Sequence, residues 1–327
     1  MKAVLQHRYG SPDVLRYEDV DTPSPAADEV VVRVRAASVN ARDWHLLRGD
    51  PYVSRLLTPD LTLRAPAAAV RGTDFAGVVD AVGSGVTRLR VGDEVFGEAP
   101  GAFAEYVRVS QDHVDVKPAN LTFEQAAALP LAANTALVGL RDEADVQPGQ
   151  SVLINGASGG VGTFAVQLAT ALGANVTGVC SPRNAELVRS LGAQRVVDYT
   201  REDFTRAPER YDVVFDLVGN RSLRALRSVL TPRGALLLSG GGVSTGGKLL
   251  GPMVLIVHGQ LRSKFVRQRI LVPVATPSSA NLAALREFAE AGTLKPVIDR
   301  TYPLSAAADA IRYLETDHAR AKVVLTA

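Results

Sequence analysis

The first residues able to do chemistry are Ala157-Ser158-Gly159-Gly160-Val161-Gly162, small residues at a fixed spacing with alanine in the first place. Glycine at 159 lets the backbone come close to a pyrophosphate, and glycine at 162 lets a helix lie tightly on a strand. Free N–H groups at the start of that helix, aided by its dipole, then meet the phosphates. Such a turn binds a dinucleotide when a strand precedes it and a helix and second strand follow. The apolar run Ser151–Ile154 predicts a buried parallel strand, Thr163–Leu172 a helix that Gly173 ends, and Asn175–Cys180 the second strand. The order is the required one. Ser158, Gly159, Gly160 and Val161 are candidate phosphate ligands; the bland alternative is a glycine-rich turn in a ligand-free α/β domain.

The end of the second strand narrows the cofactor. An NAD site usually places Asp or Glu about 20 residues beyond the glycines, on the ribose hydroxyls. Here the chain reads Val179-Cys180-Ser181-Pro182-Arg183, with no acid. A carboxylate would repel a 2′-phosphate, whereas a hydroxyl and a guanidinium hold one. Ser181 and Arg183 therefore read as 2′-phosphate ligands and predict NADP(H). Arg183 as a solvated helix-start residue, with either nicotinamide accepted, is the alternative. Val218-Gly219 and Gly240-Gly241-Gly242 end two later strands at the carboxyl edge, where such sheets bind ligands.

The elements that must hold these residues alternate. After Cys180 the pattern predicts a helix at Arg183–Leu191 and strands at Arg195–Asp198 and Tyr211–Leu217. A helix at Ser222–Leu230, a strand at Gly234–Ser239, a sixth strand at Ile270–Ala275 and a helix at Ala280–Ala291 follow. Six strands with intervening helices make a doubly wound parallel sheet. The first 120 or so residues differ: short strands at Lys2–Leu5, Val14–Asp19, Glu29–Ala37, Phe75–Val82, Glu94–Phe96 and Ala104–Val109, cut by Gly and Pro turns, predict a small β-barrel. Asn40–Pro66 interrupts it as an irregular, partly helical excursion. Phe123–Ala144 predicts a long helical stretch broken near Pro130 and Asn134-Thr135. Leu294–Ala327 has strands with no place left in the sheet, so it is expected back in the barrel. The predicted domains are 1–121 with 294–327, and 122–293.

Bulk properties agree with an ordinary soluble protein. A length of 327 residues suits two domains, and 46% hydrophobic with 21% charged residues suffices for two cores. A net charge of +2 without a basic stripe argues against nucleic acid. No apolar run reaches membrane-spanning length; Gly251–Leu261 is interrupted by His258 and Gly259. The start, MKAVLQHRYG, reads as a strand rather than a signal peptide. A single cysteine, Cys180, excludes internal disulfides and fits a reducing cytoplasm.

Motifs spread over nearly the whole chain resemble the medium-chain dehydrogenase/reductase superfamily, in its zinc-independent quinone oxidoreductase branch. They are YGSPDVL, EVVVRVRAASVNARD, RGTDFAGVV, VGDEVFG with GAFAEYV, and AAALPLAANTALVGL with PGQSVLINGASGGVG. LGAQRVVDYT, FDLVGN and HARAKVVL complete the match, with Ala321 where the branch usually has glycine. The resemblance implies a GroES-like barrel domain beside a Rossmann domain, an active site in the cleft between them, and NADPH-dependent reduction of a quinone or an α,β-unsaturated carbonyl. It also implies that Tyr199 completes the 2′-phosphate pocket and that Lys322 approaches the pyrophosphate.

Zinc-dependent relatives bind metal through Cys, His and a second Cys or Asp. The positions like the first two are Asn40 and Thr73 here, neither a plausible primary ligand, and the structural-zinc lobe is replaced by the short stretch Gly97–Gly101. His7, His45, His113, His258 and His318 are far apart in sequence. No metal is expected, which favours acceptors that hydrogen bonds alone activate.

Two residues are candidates for the reaction itself. Asn40 either donates its amide to a developing oxyanion or serves as a turn asparagine, and the resemblance favours the first role. Tyr52 either gives a proton or stacks on a flat substrate, or plugs a loop. Asp43 and Asp74 serve either as general acids or, the favoured reading, as structural acids, and His45 as a packed loop residue or a proton shuttle. Asn134-Thr135, at a predicted helix start, suits either the nicotinamide and its ribose or an N-cap. An alcohol or ketone reductase, a tailoring reductase of secondary metabolism, and a non-catalytic NADPH sensor or partner subunit remain open on the same scaffold. The apolar Val243–Gln268 lines either a substrate pocket or an interface. The exposed edge Ile270–Ala275 predicts a homodimer. A small apolar carbonyl or quinone substrate is expected, with no nucleic-acid or membrane partner.

Overall fold

The computed structural model describes residues 1–57, 61–240, 251, 253–263, 266–316 and 319–327. Strands appear in chain order as β1 (Lys2–Leu5), β2 (Arg16–Asp19), β3 (Glu29–Val39), β4 (Asp74–Val82), β5 (Glu94–Glu98), β6 (Tyr106–Ser110) and β7 (Val114–Val116). The next six are β8 (Ser151–Asn155), β9 (Asn175–Cys180), β10 (Arg195–Asp198), β11 (Tyr211–Asp216), β12 (Leu230–Leu238) and β13 (Arg269–Leu271). β14 (Ile298–Pro303) and β15 (Lys322–Thr326) close the series. Two compact units divide the chain: 1–134 with 276–327, and 135–275.

The first unit is built on a seven-stranded sheet ordered β14-β15-β3-β4-β5-β7, with β6 also paired to β3. Alternation along β3 buries Val30, Val32 and Val34 against Phe75, Val95, Phe103 and Leu325, which sets the core. Register fixes what lies beside what. Ser38 on β3 faces Asp74 on β4, Asp74 faces Glu98 on β5, and Val39 faces Val323 on β15. After β3 the chain turns at Asn40 into a helix, Ala41–Arg48, whose first-turn Asp43 accepts the backbone N–H of Asn40 at 2.8 Å. Gly49, at φ +58°, ends it.

The second unit is a six-stranded sheet ordered β10-β9-β8-β11-β12-β13, parallel throughout. Leu153, Val179, Val214, Leu236 and Ile270 form its core. The helix after β8 covers Gly160–Ala171 and starts three residues earlier than the periodicity predicts, because Gly159 is its N-cap. Gly162 has to be glycine: a Cβ there would lie 2.0 Å from the Gly156 carbonyl oxygen.

Several expectations need correction. β13 stops at Leu271 instead of running to Ala275, since Pro273 has no N–H for the ladder. The helix Pro130–Leu137 runs through Asn134-Thr135 without a break and continues as a π-turn over Val138–Glu143. The unit boundaries fall at 134/135 and 275/276, not at 121/122 and 293/294. The helix Ser279–Glu290 sits on the barrel side because it packs on β7, with Arg286 facing Asp115 at 3.5 Å. Asn120 adds a bond to the Ala289 carbonyl at 2.8 Å. Phe123–Ala127 likewise packs on β3 and β4. The strand Val114–Val116 is too short to show alternation in the sequence.

Candidate active site

In the barrel unit, four neighbouring strands bring charge into a buried place. Asp74 is fully buried, Glu98 is 1% exposed and Lys322 is 2% exposed. The Lys322 ammonium donates to Asn40 Oδ1 at 2.5 Å and lies 3.6 Å from Asp74 Oδ2. The Asn40 Nδ2 group donates to that same Asp74 oxygen at 2.9 Å and makes only a 3.4 Å contact with the Ser38 carbonyl. Ser38 Oγ donates to Asp74 Oδ2 at 3.0 Å, and the Leu131 backbone N–H to Oδ1 at 3.2 Å. Glu98 Oε1 accepts from Asn134 at 3.4 Å, and Glu98 Oε2 has no hydrogen-bond partner.

Three buried carboxylates, Asp43, Asp74 and Glu98, share this place with the Lys322 ammonium and, beside Asp43, the buried Arg71 guanidinium, so the ordinary ionisation of acids cannot hold for all of them. Burial, reinforced by the negative charge of Asp74, pushes Glu98 up to about 8. Burial pushes Asp43 up to about 6, opposed by the backbone N–H of Asn40. Asp74 is raised by burial and held back first by Lys322, whose own value burial lowers.

These placements revise several candidate roles. Lys322, expected by resemblance to approach the pyrophosphate, is buried inside the barrel unit with its ammonium on Asn40 and Asp74. Asn134 is not at a helix start either, and its amide is committed to Glu98, the Thr276 carbonyl and Asn281. Thr135 lies in the same helix interior, half-buried. His45 contacts the Asp50 carbonyl through Nδ1 at 3.0 Å and meets Trp44 edge-on, and burial lowers its value. Tyr52 is 46% exposed, with the Arg55 guanidinium 4.5 Å from its ring centre. Glu98 was missed by sequence reasoning, where a lone acid ending a short strand carries no signal beyond its charge.

The second unit gathers the remaining candidates along the carboxyl ends of its parallel strands. Ser158 to Val161 form the turn after β8 and the first helical turn, with Gly156 at φ +90° beneath them. Asn184 donates to Ser158 Oγ at 3.0 Å, tying that turn to the segment after β9, where Ser181 and Arg183 lie. Tyr199, half-exposed, follows β10, and its backbone N–H reaches the Cys180 carbonyl at 3.4 Å. Val218 follows β11. Buried Asp216 accepts from Asn155 and from the backbone N–H groups of Val218 and Gly219, which fixes that turn. Gly240 follows β12; Gly241 lies outside the described residues, as do His318 and much of Val243–Gln268. The open glycine turn, the free end of a 12-residue helix and the acid-free end of β9 fit a dinucleotide carrying a 2′-phosphate.

Comparison with known proteins sets this geometry in a family. Residues 26–119 match the model of the alcohol dehydrogenase GroES-like domain, and residues 191–325 that of a zinc-binding dehydrogenase. The 2-methylene-furan-3-one reductase of Solanum lycopersicum is 36% identical over 99% of this chain and 79% of its own length. The chloroplastic NADPH-dependent alkenal/one oxidoreductase of Arabidopsis thaliana is 34% identical over the same shares. The structure of the quinone oxidoreductase from Coxiella burnetii superimposes with a TM-score of 0.86 at 32% identity, covering 100% of this chain and 99% of that one.

The donor set does not suit the metal in the second model's description. Asn40 Oδ1 already faces the Lys322 ammonium, which would repel a divalent cation, and Thr73 offers only a hydroxyl. Among the described residues, no three or more His, Cys, Asp or Glu side chains are grouped to hold an ion. The chain belongs to the medium-chain dehydrogenase/reductase superfamily, in its zinc-independent quinone oxidoreductase branch.

Proposed function

We propose that this protein uses NADPH to reduce quinones or the C=C bond of α,β-unsaturated carbonyl compounds. The observation that carries the reading is the alignment of 99% of the chain with relatives named for reducing a methylene-furanone and alkenals or alkenones. When bound, the cofactor supplies a hydride. Ser158 to Val161 hold its pyrophosphate on backbone N–H groups, and Ser181, Arg183 and Tyr199 surround the 2′-phosphate. Val218 and Gly240 border the same edge. In the barrel unit, one Asn40 N–H is committed to Asp74, and the other makes only the long contact to the Ser38 carbonyl. In this reading Asn40 gives up that long contact to donate to the carbonyl oxygen as negative charge builds on it. Tyr52 or water supplies a proton to the α-carbon of the enolate that hydride addition leaves.

A cytoplasmic homodimer is the accompanying reading. The single cysteine, buried Cys180, suits a reducing compartment, and β13 offers an edge for pairing. Among the described residues, no helix is long and apolar enough to cross a membrane.

The test is NADPH and NADH oxidation, side by side, with 1,4-benzoquinone, 9,10-phenanthrenequinone and a simple enone. Turnover with NADPH, giving the saturated ketone from the enone, is the expected result. Reduction of the enone carbonyl to an alcohol would replace this reading with a ketone reductase.

A further inference from the structure

We propose that the second unit carries an anion site apart from its cofactor edge, where Arg224, Arg227 and Arg267 converge on one cavity and take a small polyphosphate.

An even overall charge hides a local imbalance. The chain has 36 Lys and Arg against 34 Asp and Glu, yet no acid occurs between Asp216 and Glu287. Arginines in that interval have no oppositely charged neighbours along the chain, and folding supplies one to Arg221 alone among those near the cavity. Arg221 lies 3.6 Å from Asp203, whereas among the described residues Arg224, Arg227 and Arg267 form no ion pair. The acids of the preceding connection are already engaged. Asp203 also accepts from the Thr205 backbone N–H, Glu209 meets Arg195, and Asp212 accepts from the Ser151 backbone N–H.

Helix spacing and strand order gather the three arginines. Arg224 and Arg227 lie three residues apart on the helix Leu223–Ser228 and so share a face. Arg267, just before β13, joins them with Gln268, Ser228 and Pro232 around a cavity of about 460 Å³. Small-molecule sites span roughly 300–1,000 Å³. Arg227 is held rigidly there. Its Nε–H donates to Gln268 Oε1 at 2.8 Å, and Gln268 Nε2 donates to the carbonyls of Arg227 at 3.1 Å and Thr231 at 3.3 Å. That brace leaves both Nη groups of a half-buried guanidinium without an acceptor among the described residues. A partly desolvated cation with no counter-charge is costly, and two like charges on the same cavity add to the cost. Phosphate oxygens remove it, because a planar guanidinium binds them in pairs. Three such cations on one cavity suit clustered phosphates.

The cavity lies at the opposite edge of the sheet from the proposed cofactor turns. β12 and β13 are parallel, and Pro232 and Arg267 stand near where they begin. Ser158, Ser181 and Val218 all follow the carboxyl ends of their strands. Both sites can therefore be filled at once.

Calorimetric titration of the whole protein with tripolyphosphate at low ionic strength, with and without excess NADPH, tests the site. One binding event is expected, changed less than about twofold by NADPH and weakened at least about tenfold in Arg224→Gln with Arg267→Gln. Arg33→Gln with Arg35→Gln removes the same charge from the exposed side of β3 and should leave affinity within about twofold. Absence of binding would overturn the proposal. So would binding that NADPH abolishes, that survives loss of Arg224 and Arg267, or that falls equally in the β3 pair. ATP, titrated alongside, identifies the source of the phosphates: equal affinity assigns free polyphosphate, tighter ATP a nucleotide, and both outcomes support the site. The two replaced side chains are exposed, so the thermal midpoint should not move. If the pair does not fold, Arg224→Gln alone faces the same criteria, with a loss of at least about threefold.

Discussion

Glu98 makes the stability of the barrel unit depend on pH in a calculable way. Its side chain is 1% exposed, stands opposite Asp74 across β4 and β5, and leaves Oε2 without a hydrogen-bond partner. Burial first, and Asp74 second, raise it from the ordinary 4.5 to about 8. Between those two values the folded barrel holds a proton that the unfolded chain has released. The contribution is therefore complete below 4.5, declines as pH rises, and is gone above about 8. One proton is worth about 1.4 kcal/mol per pH unit, so moving from pH 6.5 to 8 should cost on the order of 1–2 kcal/mol through this pair of acids. Glu98→Gln keeps the volume and an oxygen for Asn134, yet cannot titrate. The assay is urea unfolding followed by Trp44 fluorescence, since the chain's single tryptophan lies in the barrel unit. Because Asp74 titrates against Glu98, the difference between the two pH dependences reports that pair of acids together. Parallel curves for wild type and Glu98→Gln would refute the reasoning.

Three further outcomes follow from the same geometry. Arg183→Asp places a carboxylate where the 2′-phosphate is proposed to bind, and the NADPH-to-NADH ratio of kcat/KM should fall about 100-fold; an unchanged ratio would remove Arg183 from the site. Gly162→Ala puts a methyl carbon 2.0 Å from the Gly156 carbonyl oxygen, a backbone atom that cannot swing away. Thermal or urea unfolding should register a loss of about 1–3 kcal/mol, and fluorescence titration a weaker NADPH complex. Incubation with a chelator followed by the enone assay should leave turnover intact, because Lys322 faces the oxygen that a metal would need; loss of activity restored by Zn²⁺ would contradict the donor-set argument.

Local sequence exposed one of the two candidate sites far better than the other, and the reason is physical. The dinucleotide turn is a contiguous motif: strand, glycines and helix occur within Ser151–Ala171, and the missing acid lies only a few residues beyond β9. Spacing along the chain is spacing in space there. The charged cluster has no such shortcut. Asn40 and Lys322 are 282 residues apart, and Asp74 meets Glu98 only through the register of β4 and β5. Short strands do not announce their register, and nothing next to Lys322 in the chain marks it as buried. Its burial follows from β15 being inserted between β14 and β3, a topology that periodicity cannot supply. The helix boundary at Asn134 misled for a related reason. Asparagine followed by threonine looks like a cap when its side chain is assumed to serve its own backbone, but Asn134 instead bonds Glu98, Thr276 and Asn281. A polar side chain in a helix interior reveals its purpose only when the element it reaches is in place. The buried acids whose ionisation is shifted are therefore those whose partners lie on other strands, and the residues proposed to hold the cofactor are those whose partners lie next door.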